Sequence, residues 1–218
     1  MTSGAFPFEA NPNPVDAADR AARLVDPGFG RVFTDHMVTI RYSDAKGWHD
    51  AKVGPRAPLT LDPATAVLHY AQEIFEGLKA YRLADGSMAL FRPEQNARRF
   101  QRSAKRLAMP ELPEEMFLQA CRQLVQVDKD WFPPVDGGSI YLRPFMIASE
   151  VFLGVKPSAE YLFMVIASSA GNYFKSGAPA ISIWVSEQYT RAARGGTDSA
   201  KCGGNYAASL LAQKQAAK

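Results

Sequence analysis

The sequence predicts a mixed α/β (α+β) chain, built as one small domain followed by the start of a second. Three observations carry this. Runs rich in β-branched and aromatic residues, such as Val32–Tyr42, Ile140–Ala148 and Tyr161–Ala167, alternate with segments whose apolar residues recur at helical spacing. The stretch Ser168–Pro179 is dense in Ser, Gly, Ala and Pro, a composition that suits a link between domains. Beyond it lie only about forty residues, too few to bury a core alone. The expected division is an N-terminal arm over 1–30, a small α/β domain over 31–170, a linker over 171–179, and the incomplete opening of a larger domain over 180–218.

In the arm, Asn11-Pro12-Asn13-Pro14 breaks any helix, and a short polar helix fits Asp16–Leu24. Val32–Tyr42, the turn formers Ser43–Gly47 and then Trp48 predict a β-hairpin. Asp62-Pro63 predicts a helix start, with Asp as N-cap and Pro in the first turn, running to about Gln72 and ending before Gly77. Lys79–Arg92 reads as a second hairpin around Asp85-Gly86, a type I′ signal. Pro93 opens a helix with an apolar stripe at Ala97, Phe100, Ala104, Leu107 and Ala108, and Met116–Trp131 gives another. Ala180–Ser186 reads as a strand and Asn205–Ala217 as a helix.

The chain has 218 residues, 47% hydrophobic and 22% charged, which is the make-up of an ordinary globular protein. A net charge of +3 is too small to argue for nucleic acid. The basic run Arg98–Arg106 is one solvated helix face on its blandest reading. The two cysteines, Cys121 and Cys202, form no CxxC pair or zinc-like cluster, so no metal is expected and a reduced, cytoplasmic setting is. Neither a signal peptide nor an apolar run long enough to cross a bilayer is evident, so no membrane partner is expected.

Chemistry concentrates in Thr197-Asp198-Ser199-Ala200-Lys201-Cys202-Gly203-Gly204-Asn205-Tyr206. Small neighbours leave room at the Lys201 amine, and the glycines let backbone approach a ligand. A lysine held away from bulk water can lose its proton and attack a carbonyl, forming a Schiff base. The competing reading of Gly195-Gly196-Thr197 as a nucleotide phosphate loop fails, because Ala200 and Cys202 flank the lysine where Gly and Ser/Thr would be needed.

Four segments join that stretch: Leu68–Tyr81 with Phe75-Glu76-Gly77-Leu78-Lys79, Leu90-Phe91-Arg92-Pro93 leading to Arg99, Tyr141-Leu142-Arg143-Pro144, and the arm pieces Phe29-Gly30 and Phe33–Met37. In order and spacing, from about Phe29 to Gln213, they closely resemble the branched-chain amino acid aminotransferases. Those are fold-type IV pyridoxal-phosphate enzymes with the D-amino acid aminotransferase-like fold. The resemblance implies transfer of the amino group of leucine, isoleucine or valine to 2-oxoglutarate by a ping-pong route, with pyridoxal 5′-phosphate as cofactor. It implies Lys201 as the Schiff-base lysine and proton shuttle, Arg99 at the cofactor phosphate, Tyr206 at the phenolic oxygen and Arg191 close by. Substrate contacts implied are Phe29, Tyr70, Phe75, Tyr141, Arg143 and Tyr173: aromatics for branched side chains, and Arg143 with tyrosine hydroxyls for the glutamate carboxylate. Tyr70 and its neighbours are implied to reach a partner subunit's site, making the enzyme at least a homodimer.

Two departures accompany the match. Asp198 stands where the family has glycine after Gly-Gly-Thr, and an Asp tolerates φ > 0 only in part. The chain also ends at Lys218, before the family's glutamate for the pyridine nitrogen and the threonine and backbone groups that complete the phosphate site. The 218-residue chain alone is therefore expected to be poorly active or inactive. Alternatives are another class IV enzyme, either a D-amino acid aminotransferase or an aminodeoxychorismate lyase, or a non-catalytic dimerisation fragment.

Overall fold

Alternation of buried and exposed side chains along β-rich runs gives each strand one face to bury, and seven of them share one sheet. The computed structural model describes residues 4–135, 137–171 and 183–217. In chain order the elements are α1 (Ala17–Leu24), β1 (Val32–Ser43), β2 (Gly47–Pro55), α2 (Val67–Tyr70), β3 (Glu73–Phe75), β4 (Leu78–Arg82) and β5 (Met88–Leu90). There follow α3 (Pro93–Arg106), α4 (Glu114–Val127), a 3-10 turn at Lys129–Trp131, β6 (Ser139–Ala148), β7 (Glu160–Ala170), α5 (Gly203–Ala207) and α6 (Leu210–Ala216). The sheet runs β2-β1-β7-β6-β4-β5, with β3 also on β6, and every ladder is antiparallel. The expected mixed architecture is therefore present in its α+β form. Helices α3 and α4 cover one face, where Phe100, Phe117 and Phe163 interlock with ring centroids 5.5–6.2 Å apart.

Several elements differ from the sequence expectation, each for a local reason. The helix expected over Pro63–Gln72 shrinks to α2. Asp62 does cap, accepting from the Ala64 amide, but the backbone of 64–66 bonds to Glu150 and Phe152 instead of continuing a helix. The second hairpin turns through three residues rather than a type I′ pair. Gly86 donates to the Leu83 carbonyl, Leu83 donates to Ser87, and Gly86 sits at φ 82°, a type I turn closed by a left-handed glycine. The helix expected over Met116–Trp131 starts earlier and tightens to 3-10 after Val127. Residues 183–186 of the expected Ala180–Ser186 strand pair with no strand among the described residues, and 180–182 lie outside them, as does nearly all of the expected 171–179 linker. The helix expected over Asn205–Ala217 begins at Gly203 and breaks near Ser209, whose hydroxyl donates to the Tyr206 carbonyl and competes with the helical ladder.

Between Phe33 and Met37 the β1–β7 register shifts. This bulge frees Asp35 and His36 to bind the helical layer. Asp35 accepts from Trp131 Nε1 (2.9 Å) and from the Val15 amide (3.0 Å). His36 Nε2 accepts from the Asn11 amide, so its proton sits on Nδ1, which donates to the buried Asp128 at 2.7 Å. The His36 amide donates to the same carboxylate. The arm is thus tied down, and Pro7–Glu9 pairs with Val53 at the sheet edge.

The C-terminal segment docks at the free edge of β3. Phe75 N–H donates to the Lys201 carbonyl (2.9 Å), Lys201 N–H to Ser103 Oγ (2.9 Å), and Gly203 N–H to the Glu73 carboxylate. Arg106 at the end of α3 donates to the carbonyls of Gly195 and Gly196. Burial raises the Glu73 carboxyl above its ordinary 4.5, against the lowering by the Gly203 amide and the Arg143 charge.

Two outcomes test this packing. Asp128→Ala strands two buried donors of His36 and should lower stability by about 2 kcal/mol or more; a denaturant titration with an unchanged midpoint would contradict the role given to Asp128. A carboxyl raised on folding favours the fold fully below its ordinary value, and loses that contribution as pH rises through the raised one. Glu73→Gln keeps an acceptor for Gly203, so its melting temperature should exceed the parent's at about pH 7.5 and converge with it near about pH 4. A gap that does not change with pH would count against a buried charge at Glu73.

Candidate active site

Side chains in β3, β4 and β6 alternate between the helix-covered face, with Ile74, Glu76, Leu78, Leu142 and Pro144, and the opposite face, with Phe75, Tyr141 and Arg143. Pro144 pairs with Glu76 in this register, and Glu76 N–H donates to the Pro144 carbonyl at 2.7 Å. Proline has no N–H to return the bond, so the edge breaks into β3 and β4 at Glu76-Gly77. Gly77 is required there for space, because a Cβ would run into the Tyr141 hydroxyl oxygen.

Lys201 stands beside this break, with its side chain part-buried. Its Nζ donates to the Tyr206 hydroxyl and lies 4.4 Å from the Phe75 ring centroid and 4.6 Å from that of Tyr206. The Arg191 guanidinium lies 4.6 Å from the Tyr206 ring centroid, and Phe75 and Tyr206 pack with centroids 5.0 Å apart. Four of the expected residues thus meet around one amine.

Arg99 belongs to the same corner. It lies one turn before Ser103 on α3, the residue that accepts the Lys201 amide. Its Nε and Nη2 donate to the two oxygens of Glu76 at 2.5 and 2.7 Å. This pairing with Glu76 is the chief cause that raises the Arg99 pKa, opposed by burial, and the Tyr206 oxygen adds to the rise. Arg99 also lines a basic cavity of about 320 Å³ with Arg92, Gln95, Asn96 and Arg102.

Arg143 connects this corner to a second one. Its guanidinium sits 4.7 Å from the Phe75 ring centroid and donates to the Tyr141 hydroxyl at 3.0 Å. Tyr141 meets Phe29 edge-on with centroids 4.8 Å apart. Phe29, Tyr141 and Arg143 line a cavity of about 170 Å³ with Phe33, Ile166 and Ser168. The Arg143 Nε is buried without an acceptor, a donor available to an anionic ligand.

Tyr70 lies elsewhere. Its hydroxyl donates to the Leu153 carbonyl, its ring stacks on Phe152, and it lines a separate groove of about 520 Å³ with Leu107, Thr197 and Cys202. Tyr173 lies outside the described residues. Asp198 is exposed and is not among the residues with positive φ; Gly195, at φ 82°, takes the left-handed position instead.

Sequence reasoning passed over four residues that hold this geometry: Glu73, Glu76, Ser103 and Asn205. Buried Asn205 donates to the carbonyls of Thr197 and Ala200 and accepts from the Thr197 hydroxyl, which closes the turn leading to Lys201. Glu76 carried a readable signal, a charge at a core-facing position of an alternating strand. Among the described residues no His/Cys/Asp/Glu group could hold a metal, and no helix is long and apolar enough to cross a membrane.

The donor set suits an aldehyde that carries a phosphate: an open amine, a phenol hydroxyl against it, and guanidinium groups of Arg99 and Arg191 around that phenol. No protein-family model matches the chain. A probable branched-chain-amino-acid aminotransferase of Streptomyces coelicolor is 60% identical over 218 residues, all of this chain and 60% of its own length. The branched-chain-amino-acid aminotransferase of Mycolicibacterium smegmatis is 59% identical over 221 residues, again covering all of this chain and 60% of the relative. Among solved structures, a bacterial branched-chain amino acid aminotransferase with pyridoxamine 5′-phosphate superposes with a TM-score of 0.59 at 25% identity, covering 81% of this chain and 54% of that one. The Thermoproteus uzoniensis branched-chain aminotransferase with norvaline shares the fold, with a TM-score of 0.61 at 19% identity over 82% of this chain and 56% of that one. The chain spans about 60% of the length of these first curated relatives and is, over its own whole length, homologous to the branched-chain-amino-acid aminotransferases, of the fold-type IV pyridoxal-phosphate class.

Proposed function

We propose that the protein carrying this chain transfers the amino group of leucine, isoleucine or valine to 2-oxoglutarate, using pyridoxal 5′-phosphate in a ping-pong cycle. The observation that carries this reading is the Lys201 amine, hydrogen-bonded to Tyr206 and flanked by Phe75, in a chain 60% identical to a probable branched-chain-amino-acid aminotransferase. The pyridoxamine 5′-phosphate in the solved aminotransferase at 25% identity supports the choice of group.

When bound, the cofactor supplies a carbonyl for amino exchange and an electron sink for the pair left at the substrate Cα. Lys201 would capture it and, once released, take the Cα proton and return it one position along. The Tyr206 hydroxyl would hold the phenolic oxygen, with Arg191 against its ring. Arg99 would meet the phosphate with the guanidinium edge that Glu76 does not occupy. Arg143, with its unpaired Nε and its bond to Tyr141, would bind a substrate carboxylate, and Phe29, Phe75 and Tyr141 would enclose the branched side chain and exclude water. Tyr70 would contribute to the site of a second copy in a homodimer, since in its own chain it engages Leu153 and Phe152 rather than Lys201. We further assign Tyr173 to the substrate pocket, residues 31–170 and 180–218 to successive domains joined by 171–179, and the enzyme to the cytoplasm.

Reduction with borohydride in the presence of pyridoxal 5′-phosphate, followed by peptide mapping, should place the label on Lys201. Lys201→Ala should abolish both label and transamination, while leucine, isoleucine and valine should outpace D-alanine as donors to 2-oxoglutarate. A label on another lysine, or D-alanine as the preferred donor, would sink the proposal.

A further inference from the structure

Glu76 is a fully buried carboxylate, the costliest kind of group to bury unless it is fully paired. Four donors converge on its two oxygens: Arg99 Nε (2.5 Å), Arg99 Nη2 (2.7 Å), Asn96 Nδ2 (2.8 Å) and its neighbour Gly77 N (3.3 Å). The guanidinium it grips is 46% exposed at its side chain, and α3 alone would leave such an arginine free to sample many rotamers. The pair is side-on, using Nε and one terminal nitrogen, which leaves the Nη1 edge outside it. That guanidinium is close enough to Tyr206 to be influenced by its charge, and Tyr206 in turn receives the Lys201 amine.

We infer that Glu76 is a positioning residue that fixes Arg99 with its free edge toward a phosphate held beside Lys201. The inference rests on the assignment of Arg99 to the cofactor phosphate in the preceding subsection. Two effects of Glu76 oppose each other: its charge offsets that of Arg99 and weakens attraction for a dianion, and its grip pre-orders the guanidinium and strengthens binding. The inference is that ordering outweighs charge, and the four-donor geometry around one buried carboxylate is what favours it.

The chain itself can be tested with two probes, pyridoxal 5′-phosphate and pyridoxal, which differ only in the phosphate. Capture at Lys201 is followed by absorbance and by borohydride trapping, and the ratio of the two affinities isolates the phosphate contribution without any turnover. In Glu76→Gln the ratio should fall about tenfold, with pyridoxal capture unchanged. Arg99→Ala should lower it comparably, and the double variant should fall no further than Arg99→Ala alone. A ratio that is unchanged or raised in Glu76→Gln, while Arg99→Ala lowers it, overturns the inference and leaves the Arg99 assignment intact. An unchanged ratio in Arg99→Ala overturns the assignment, and the inference with it. Should Glu76→Gln lose its fold by circular dichroism, Glu76→Asp decides. It keeps the charge but withdraws the carboxylate by one methylene, so ordering predicts a lower ratio and charge alone predicts the parent value.

Discussion

One missing hydrogen gives this site its place. Pro144 sits in the middle of a long strand and cannot complete the bond pair with Glu76, so the neighbouring strand cannot run unbroken. A proline inside a sheet is tolerated where the partner strand is short or at an edge, and here the partner is both: three residues, a gap, then five. The gap leaves β3 with an unpaired outer edge. That edge receives the lysine segment through the Phe75 amide and the Lys201 carbonyl. Sheet chemistry, rather than a cleft between preformed walls, thus decides where the reactive amine stands.

The break also sorts charge. On the face under the helices, Glu76 and Arg99 satisfy each other in a layer otherwise built from Phe100, Phe117 and Ile74. On the opposite face, Arg143 lies against the Phe75 and Tyr141 rings with one nitrogen unpaired. One arginine is gripped along one edge and held in position, and the other keeps an unpaired nitrogen for a ligand. The same residue type plays both parts because the guanidinium fork can be divided between them.

Long strands were legible in the sequence because β-branched runs such as Val32–Tyr42 and Tyr161–Ala167 bury alternate residues whatever their neighbours do. Helix α3 was legible from its stripe of Ala97, Phe100 and Ala104. What escaped depended on distant partners. Residues 62–66 read as a helix start until Glu150 and Phe152 claim their backbone. Three-residue β3 is too short for any periodicity, and exists only because β6 offers a ladder. In the site, Lys201, Tyr206 and Arg143 stood out by motif, whereas Ser103, Asn205 and Glu73 are ordinary polar residues whose role appears only when a backbone amide or carbonyl arrives from far along the chain, or across a tight turn.

Helix α3 has a further consequence. Arg99, Ser103 and Arg106 lie on one face at i, i+4 and i+7, and they touch in turn Glu76, the Lys201 amide, and the carbonyls of Gly195 and Gly196. The helix is a ruler: two turns of rise, about 10 Å, set the distance from the phosphate-facing arginine to the glycine turn before the lysine. Adding or removing one residue within that span would rotate one contact about 100° away from the others. Its outer face is free to vary in composition, but its length is not.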